Sequence, residues 1–141
     1  MGRGGTPGGG SVSSYRVNDD GALNLVQSQP TTQTATCWVV VSTDGRFAYV
    51  TNTGDESLSA LNVGFLGTLS LLDGNGEAGQ TGAGTAPIDL SLSNDGRHVY
   101  ALDNRMGTIS VFRTDERSGR MTPVEVVSNQ LPQGANGIVA R

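Results

Sequence analysis

Ser42-Thr43-Asp44-Gly45-Arg46-Phe47-Ala48-Tyr49-Val50-Thr51-Asn52 is followed, at a shift of 51 residues, by Ser93-Asn94-Asp95-Gly96-Arg97-His98-Val99-Tyr100-Ala101-Leu102-Asp103. In each stretch one apolar run ends at a serine, Asp-Gly turns the chain, and a second apolar run leaves. Glycine supplies the positive φ that a tight hairpin turn demands. The same shift carries Leu58 onto Ile109 and Ser59 onto Ser110, so a whole unit repeats rather than a single turn.

Working outward, each full unit divides into four short apolar runs separated by turn residues. In the first they are Cys37 to Val41, Phe47 to Thr51, Ser57 to Val63 and Thr68 to Leu72. Four short strands per unit, repeated in register, describe a propeller blade. Val39-Val40-Val41 puts apolar side chains on both faces of its strand, as a sheet sandwiched between neighbours requires. An open β-sandwich also has short strands and glycine-rich turns, but it rarely repeats a four-strand unit with matching turn and aromatic positions.

Upstream, Ser11-Val12-Ser13-Ser14-Tyr15 matches Ser57-Leu58-Ser59-Ala60-Leu61 at a shift of 46, and Gly21-Ala22-Leu23 matches Gly67-Thr68-Leu69. Only the second half of a unit is present there. Near the other end, Gly134 to Ala140 aligns with Thr85 to Ser91 at a shift of 49, as the first strand of one more unit. The expected architecture is therefore all-β, a partial β-propeller of four-stranded antiparallel blades. It comprises a half blade over 11–28, full blades over 37–72 and 87–127, and a closing strand over 136–141. Residues 1–10, Met-Gly-Arg-Gly-Gly-Thr-Pro-Gly-Gly-Gly, read as a disordered leader with no signal-peptide pattern.

The 141 residues are too few for a closed propeller, which needs at least about four blades of roughly 40 to 50 residues. Such a chain is expected to be the C-terminal part of something longer, or to self-associate through its open blade edges. A net charge of -4 with nine scattered basic residues makes no stripe for a phosphate backbone, so nucleic acid is not an expected partner. No run approaches the eighteen or so apolar residues of a membrane span. The expectation is a soluble chain, cytoplasmic by default, whose parent could be exported.

The stretch Ser42 to Asn52 with Ser57-Leu58-Ser59, echoed by Ser93 to Tyr100, resembles the blade motif of the lactonase family. These are seven-bladed propellers that include 6-phosphogluconolactonase and the enzyme cyclising carboxymuconate. Tyr49-Val50-Thr51-Asn52 also spells the signature of the related YVTN-repeat proteins. The closing Leu131-Pro132-Gln133-Gly134-Ala135-Asn136-Gly137 is similar to the way many bacterial lactonase-family members end. The resemblance implies a parent activity of sugar-lactone hydrolysis without a cofactor or metal. Its alternative is a non-enzymatic YVTN-type binding or scaffold module.

In a propeller, ligands meet the starts of the innermost strands and the loops joining second to third strands. That selects Trp38 and Asp89 on first strands, with Asn52, Thr53 and Asp55 in one loop and Asp103, Asn104 and Arg105 in the other. The expected ligand is a small sugar lactone or carboxylate, for which Arg105 is the candidate cation. Lactone hydrolysis needs a base and oxyanion donors. Family members taken as catalytic often show Pro-Arg-His at the head of an innermost strand and Asn-Glu in the following loop. Here those places read Thr36-Cys37-Trp38 with Asn52-Thr53, and Pro87-Ile88-Asp89 with Asp103-Asn104. Asp89 is left as the one weak candidate base, and this chain alone is expected to be inactive.

His98 and Cys37 read as strand residues rather than as members of a triad or a thiol site. Gly74-Asn75-Gly76-Glu77-Ala78-Gly79 matches G-x-G-x-x-G, but Gly82-Ala83-Gly84-Thr85-Ala86-Pro87 cannot continue as the helix a phosphate loop must open. It reads as a connection between blades.

Overall fold

The computed structural model describes residues 5–128 and 131–141. There is no helix among them. The described residues form eleven strands: β1 (Ser11–Val17), β2 (Leu23–Pro30), β3 (Thr36–Val41), β4 (Phe47–Asn52), β5 (Ser57–Val63), β6 (Leu69–Leu71), β7 (Gly79–Gln80), β8 (Pro87–Leu92), β9 (His98–Asp103), β10 (Thr108–Thr114) and β11 (Met121–Val127). They build three antiparallel sheets: a β1-β2 hairpin, a middle blade ordered β3-β4-β5-β6 with β7 also paired to β5, and a last blade ordered β8-β9-β10-β11.

The Asp-Gly-Arg turns show why that motif recurs. The Ser42 carbonyl accepts from Gly45 N–H at 2.8 Å, with Gly45 at φ +74°. Asp44 Oδ1 accepts from Ser42 Oγ at 2.7 Å and from Arg46 N–H at 3.1 Å, while Ser42 Oγ accepts from Phe47 N–H. Ser93, Asp95, Arg97 and His98 repeat those three bonds, and Gly96 takes φ +71°. Each turn thus satisfies its own backbone before any neighbour is present.

The blades pack face to face. Phe47, Tyr49, Leu58 and Ala60 of the middle blade meet Leu90, Val99, Ala101 and Phe112 of the last one. On its other face the middle blade offers Ala48, Val50, Leu61 and Leu69, against which Val12 of the hairpin packs. Every residue of β4 is buried. By contrast β3 leaves Trp38, Val39 and Val41 exposed, because the half blade before it has no inner strands to cover them.

Three features depart from the linear reading. The fourth strand of the middle blade is split: β6 pairs the end of β5, β7 pairs its beginning, and residues 72–78 bulge out between them. The glycine-rich stretch is therefore part of the blade rather than a simple connection. Residues 136–141 form no strand, yet they run beside β8, with Ile138 N–H donating to Asp89 Oδ2 and Ala140 N–H to Ser91 Oγ. Among the described residues no second strand pairs with this segment, so no ladder forms. Of the expected leader, residues 1–4 lie outside the described residues. Beyond them, Gly8 N–H donates to Thr34 Oγ1 and Gly10 N–H to Gln33 O, so this part is held against the linker to β3.

Gly76 sits at φ +74°, and a Cβ there would lie 1.7 Å from the Thr31 carbonyl oxygen. Gly76→Ala should cost about 2 kcal/mol, read as a fall in the urea midpoint. Gly74→Ala, with open space around it, should cost a fraction of that. An equal loss at both positions would contradict the close approach.

The hydrogen bonds from Ser42 and Arg46 hold the Asp44 carboxyl at about 2, below its ordinary 3.8. A depressed carboxylate stabilises the fold above its ordinary range, and that contribution is lost as the pH falls from about 4 to about 2. An NMR titration of the Asp44 side chain should show its midpoint near 2, and Ser42→Ala should raise it.

Candidate functional site

The end of the blades opposite the Asp-Gly-Arg turns gathers the linker 31–36, the β4–β5 loop, the β9–β10 loop and the segment after Leu131. The β4–β5 loop docks on the start of β8, and the β9–β10 loop on the segment after Leu131. Thr53 Oγ1 donates to Pro87 O at 2.7 Å, and Gly134 N–H donates to Asn104 O at 2.6 Å. This stacking lays β3 beside β8 and brings their first residues together.

An open depression of about 570 Å³ lies there, lined by Cys37, Trp38, Ile88, Asp89, Asn104, Asn136 and Gly137. Trp38 is 48% exposed and lines the depression, and an indole is a surface on which a sugar ring can stack. Asn104 is half-buried at the rim and carries an amide able to donate and accept. Asp89 is 7% exposed, and its carboxylate accepts from Leu90 N–H at 2.7 Å and Ile138 N–H at 3.0 Å. Both oxygens therefore already serve the backbone, which fits a structural group better than a free base.

Trp38, Asp89 and Asn104 line this depression, whereas Asn52, Asp103 and Arg105 are engaged elsewhere. Asn52 is fully buried: its Oδ1 accepts from Thr36 Oγ1 at 3.0 Å, and its Nδ2 donates to Ser57 Oγ and Ser59 Oγ at 3.2 and 2.8 Å. Asp103, its repeat counterpart, is equally buried. It accepts from Ala86 N–H at 2.9 Å and, in the β9–β10 turn, from Arg105 and Met106 N–H at 2.7 and 2.9 Å. Arg105 is exposed, donates to the Gly84 and Thr85 carbonyls, and does not line the depression. Asp55 accepts from Thr34 N–H at 2.6 Å. Buried backbone donors must find acceptors, and Asp55 and Asp103 supply them.

Asn136 and Gly137 were not singled out from the sequence, although the 49-residue shift that pairs Ile138 with Asp89 already set them beside the start of β8. His98 sits at the start of β9, at the blade end carrying the Asp-Gly-Arg turns and away from the depression. Among the described residues no group of three His, Cys, Asp or Glu side chains could hold a metal ion. Among the described residues no helix is long and apolar enough to cross a membrane.

Residues 9–135 match the lactonase family, described as a 7-bladed β-propeller, and the chain belongs to that family. Its fold is shared with solved structures. A functionally unknown protein from Desulfotomaculum acetoxidans is 25% identical with a TM-score of 0.71, over 88% of this chain and 38% of that one. The periplasmic gluconolactonase PpgL of Pseudomonas aeruginosa is 22% identical with a TM-score of 0.75, over 92% and 36%. A candidate 6-phosphogluconolactonase from Bacteroides uniformis is 17% identical with a TM-score of 0.69, over 84% and 36%. The chain therefore spans less than two-fifths of each of these relatives. Among curated proteins none matches it.

Asn52→Ala should destabilise the chain by about 1 to 3 kcal/mol, because Thr36, Ser57 and Ser59 lose a buried partner. Asn104→Ala, at the rim, should stay within roughly 0.5 kcal/mol of the parent. Thermal melts of the two variants separate scaffold from site.

Proposed function

We propose that this chain supplies the C-terminal part of a lactonase-type propeller whose ligand is a small sugar lactone or the carboxylate released from it. The observation that carries the reading is the depression in which the Trp38 face, the Asn104 amide and Asp89 converge, in a chain of this family. A pyranose-like ring stacks on Trp38, and Asn104 meets its hydroxyls. Hydrolysis would add water to the lactone carbonyl through a tetrahedral oxyanion and then break the ring C–O bond, which takes a free base and oxyanion donors. Asp55, Asp89 and Asp103 at this end of the blades are bound to backbone N–H groups, so these residues bind without completing the reaction. That same observation favours a second reading, a YVTN-type binding module that never performs the reaction.

Trp38 is the only tryptophan, so its fluorescence reports the site directly. Titration with gluconate should quench it saturably, and Asn104→Ala should weaken binding several-fold. An unchanged emission up to high concentration would remove the ligand from this wall. A pH-stat assay with 6-phosphogluconolactone should show no turnover above the spontaneous rate. Saturable hydrolysis that is lost in Asp89→Asn would overturn the assignment of inactivity and make Asp89 the base.

A further inference from the structure

The depression between β3 and β8 is one-sided in charge. Among its described lining residues Asp89 is acidic and none is basic. Asp89 is almost wholly buried, and both its oxygens accept from backbone N–H groups, those of Leu90 and Ile138. Its charge is therefore fixed in place and reaches a ligand as a field more than as a contact. The polar groups a ligand can touch are the Trp38 indole and the amides of Asn104 and Asn136. Asn136 Nδ2 donates to Gly134 O at 3.3 Å, and an amide nitrogen carries a second donor. Such a surface suits hydroxyls and ring C–H groups, and it holds no guanidinium or ammonium to pair with an anion.

The loops around the depression extend the same sign. Asp55 and Glu56 lie in the β4–β5 loop, and Asp103 ends β9. The Asp55 and Asp103 carboxylates are aimed at the Thr34 and Ala86 N–H groups. Against them stands Arg105, the one cation that the described residues place in these loops. Its guanidinium is turned to the Gly84 and Thr85 carbonyls. Arg46, Arg97, Arg113, Arg117 and Arg120 gather instead at the other blade end, in or beside the Asp-Gly-Arg turns and the β10–β11 turn. Carboxylates thus outnumber cations around the depression, and a cleft lined by one sign of charge repels a ligand of that sign.

We propose that this wall takes the uncharged ring of a non-phosphorylated sugar lactone and disfavours phosphate and carboxylate groups, with Asp89 as the residue that sets the preference. The inference rests on the lactone reading and names its substrate class. A phosphate ester brings a charge of about -1.5 to -2 at neutral pH, which nothing on this wall offsets. The same field separates substrate from product. In lactone hydrolysis the water oxygen bonds to the carbonyl carbon, the ring C–O bond breaks with a proton passing to the released hydroxyl, and the acid so formed gives its proton to solvent. The product then carries a negative charge that the lactone lacked, and the Asp89 field favours its departure.

Trp38 fluorescence reads the preference in pairs of sugars that differ by one group. D-glucose and glucose 6-phosphate share a ring, and gluconate and 6-phosphogluconate share a chain. At low salt each unphosphorylated partner should bind at least about tenfold more tightly. Raising the salt to about 1 M, where the Debye length is about 3 Å, should narrow both gaps. Asp89→Asn should narrow them too. Circular dichroism and a cooperative melt check its folding, and Asn136→Arg, at an exposed rim position, gives an independent reading by shifting the ratio towards the phosphorylated sugar. Phosphorylated sugars that bind as tightly as their partners, or a preference unmoved by salt and by both variants, would overturn the proposal and leave the lactone reading in place. Saturable quenching by none of the four would remove the lactone reading, and the proposal with it.

Discussion

A four-stranded sheet that is apolar on both faces cannot stand alone in water, and that constraint shapes the whole molecule. The middle blade meets it twice, through Phe47, Tyr49, Leu58 and Ala60 towards the last blade and through Ala48, Val50, Leu61 and Leu69 towards the hairpin. Fully burying one such side chain contributes roughly 1.5 to 3 kcal/mol, so the face-to-face contacts outweigh any single hydrogen bond in the structure. Stacking also sets the geometry of the site. Trp38 and Asp89 are far apart in sequence and come together only because β3 and β8 are the inner strands of adjacent blades.

At the loop end the competing demand is polar. Turns and linkers there are buried between blades, and their N–H groups need acceptors. Asp55, Asp89 and Asp103 meet that need through short bonds from neighbouring backbone N–H groups, while Asn52 ties the Thr36, Ser57 and Ser59 hydroxyls together. A carboxylate so held is a strut that ties its loop to the neighbouring backbone. The linker accepts strain to make these contacts: Thr32 and Ala35 have φ of 60° and 54°, a region that costs non-glycine residues about 1 kcal/mol or more. The chain thus presents a wall suited to binding, built by groups whose first task is to lock blade to blade.

Much of the fold was legible because the Ser-x-Asp-Gly-Arg turn is a local device, complete within six residues, and because it recurs at a fixed shift. The strands of the last blade run from Pro87 to Val127. The split of the fourth strand was not legible. It follows from Gly76 lying against Thr31 and Gly79 against Phe112, contacts between segments distant in sequence. Likewise the segment at 136–141 keeps the position of a closing strand but not its ladder, since a ladder needs a partner that no local pattern supplies. For the site, position along the blade set Trp38, Asn52, Asp89, Asp103, Asn104 and Arg105 at one end but could not tell an exposed side chain from a bonded one, which depends on contacts between distant segments.

The sequence by itself determined the unit, its strands, its turns and its family, because hydrophobic period and turn chemistry act over a few residues and leave their mark in the linear order. Only the tertiary structure decided which polar groups at the loop end remain available, and which apolar faces remain uncovered. Both depend on what the neighbouring blade places against them. Tyr15 and Phe112 occupy the same position of the repeat, yet one is half in water and the other is at the centre of the core. The difference between them is the presence of a neighbour, and a repeat can show where a neighbour belongs without showing whether it is there.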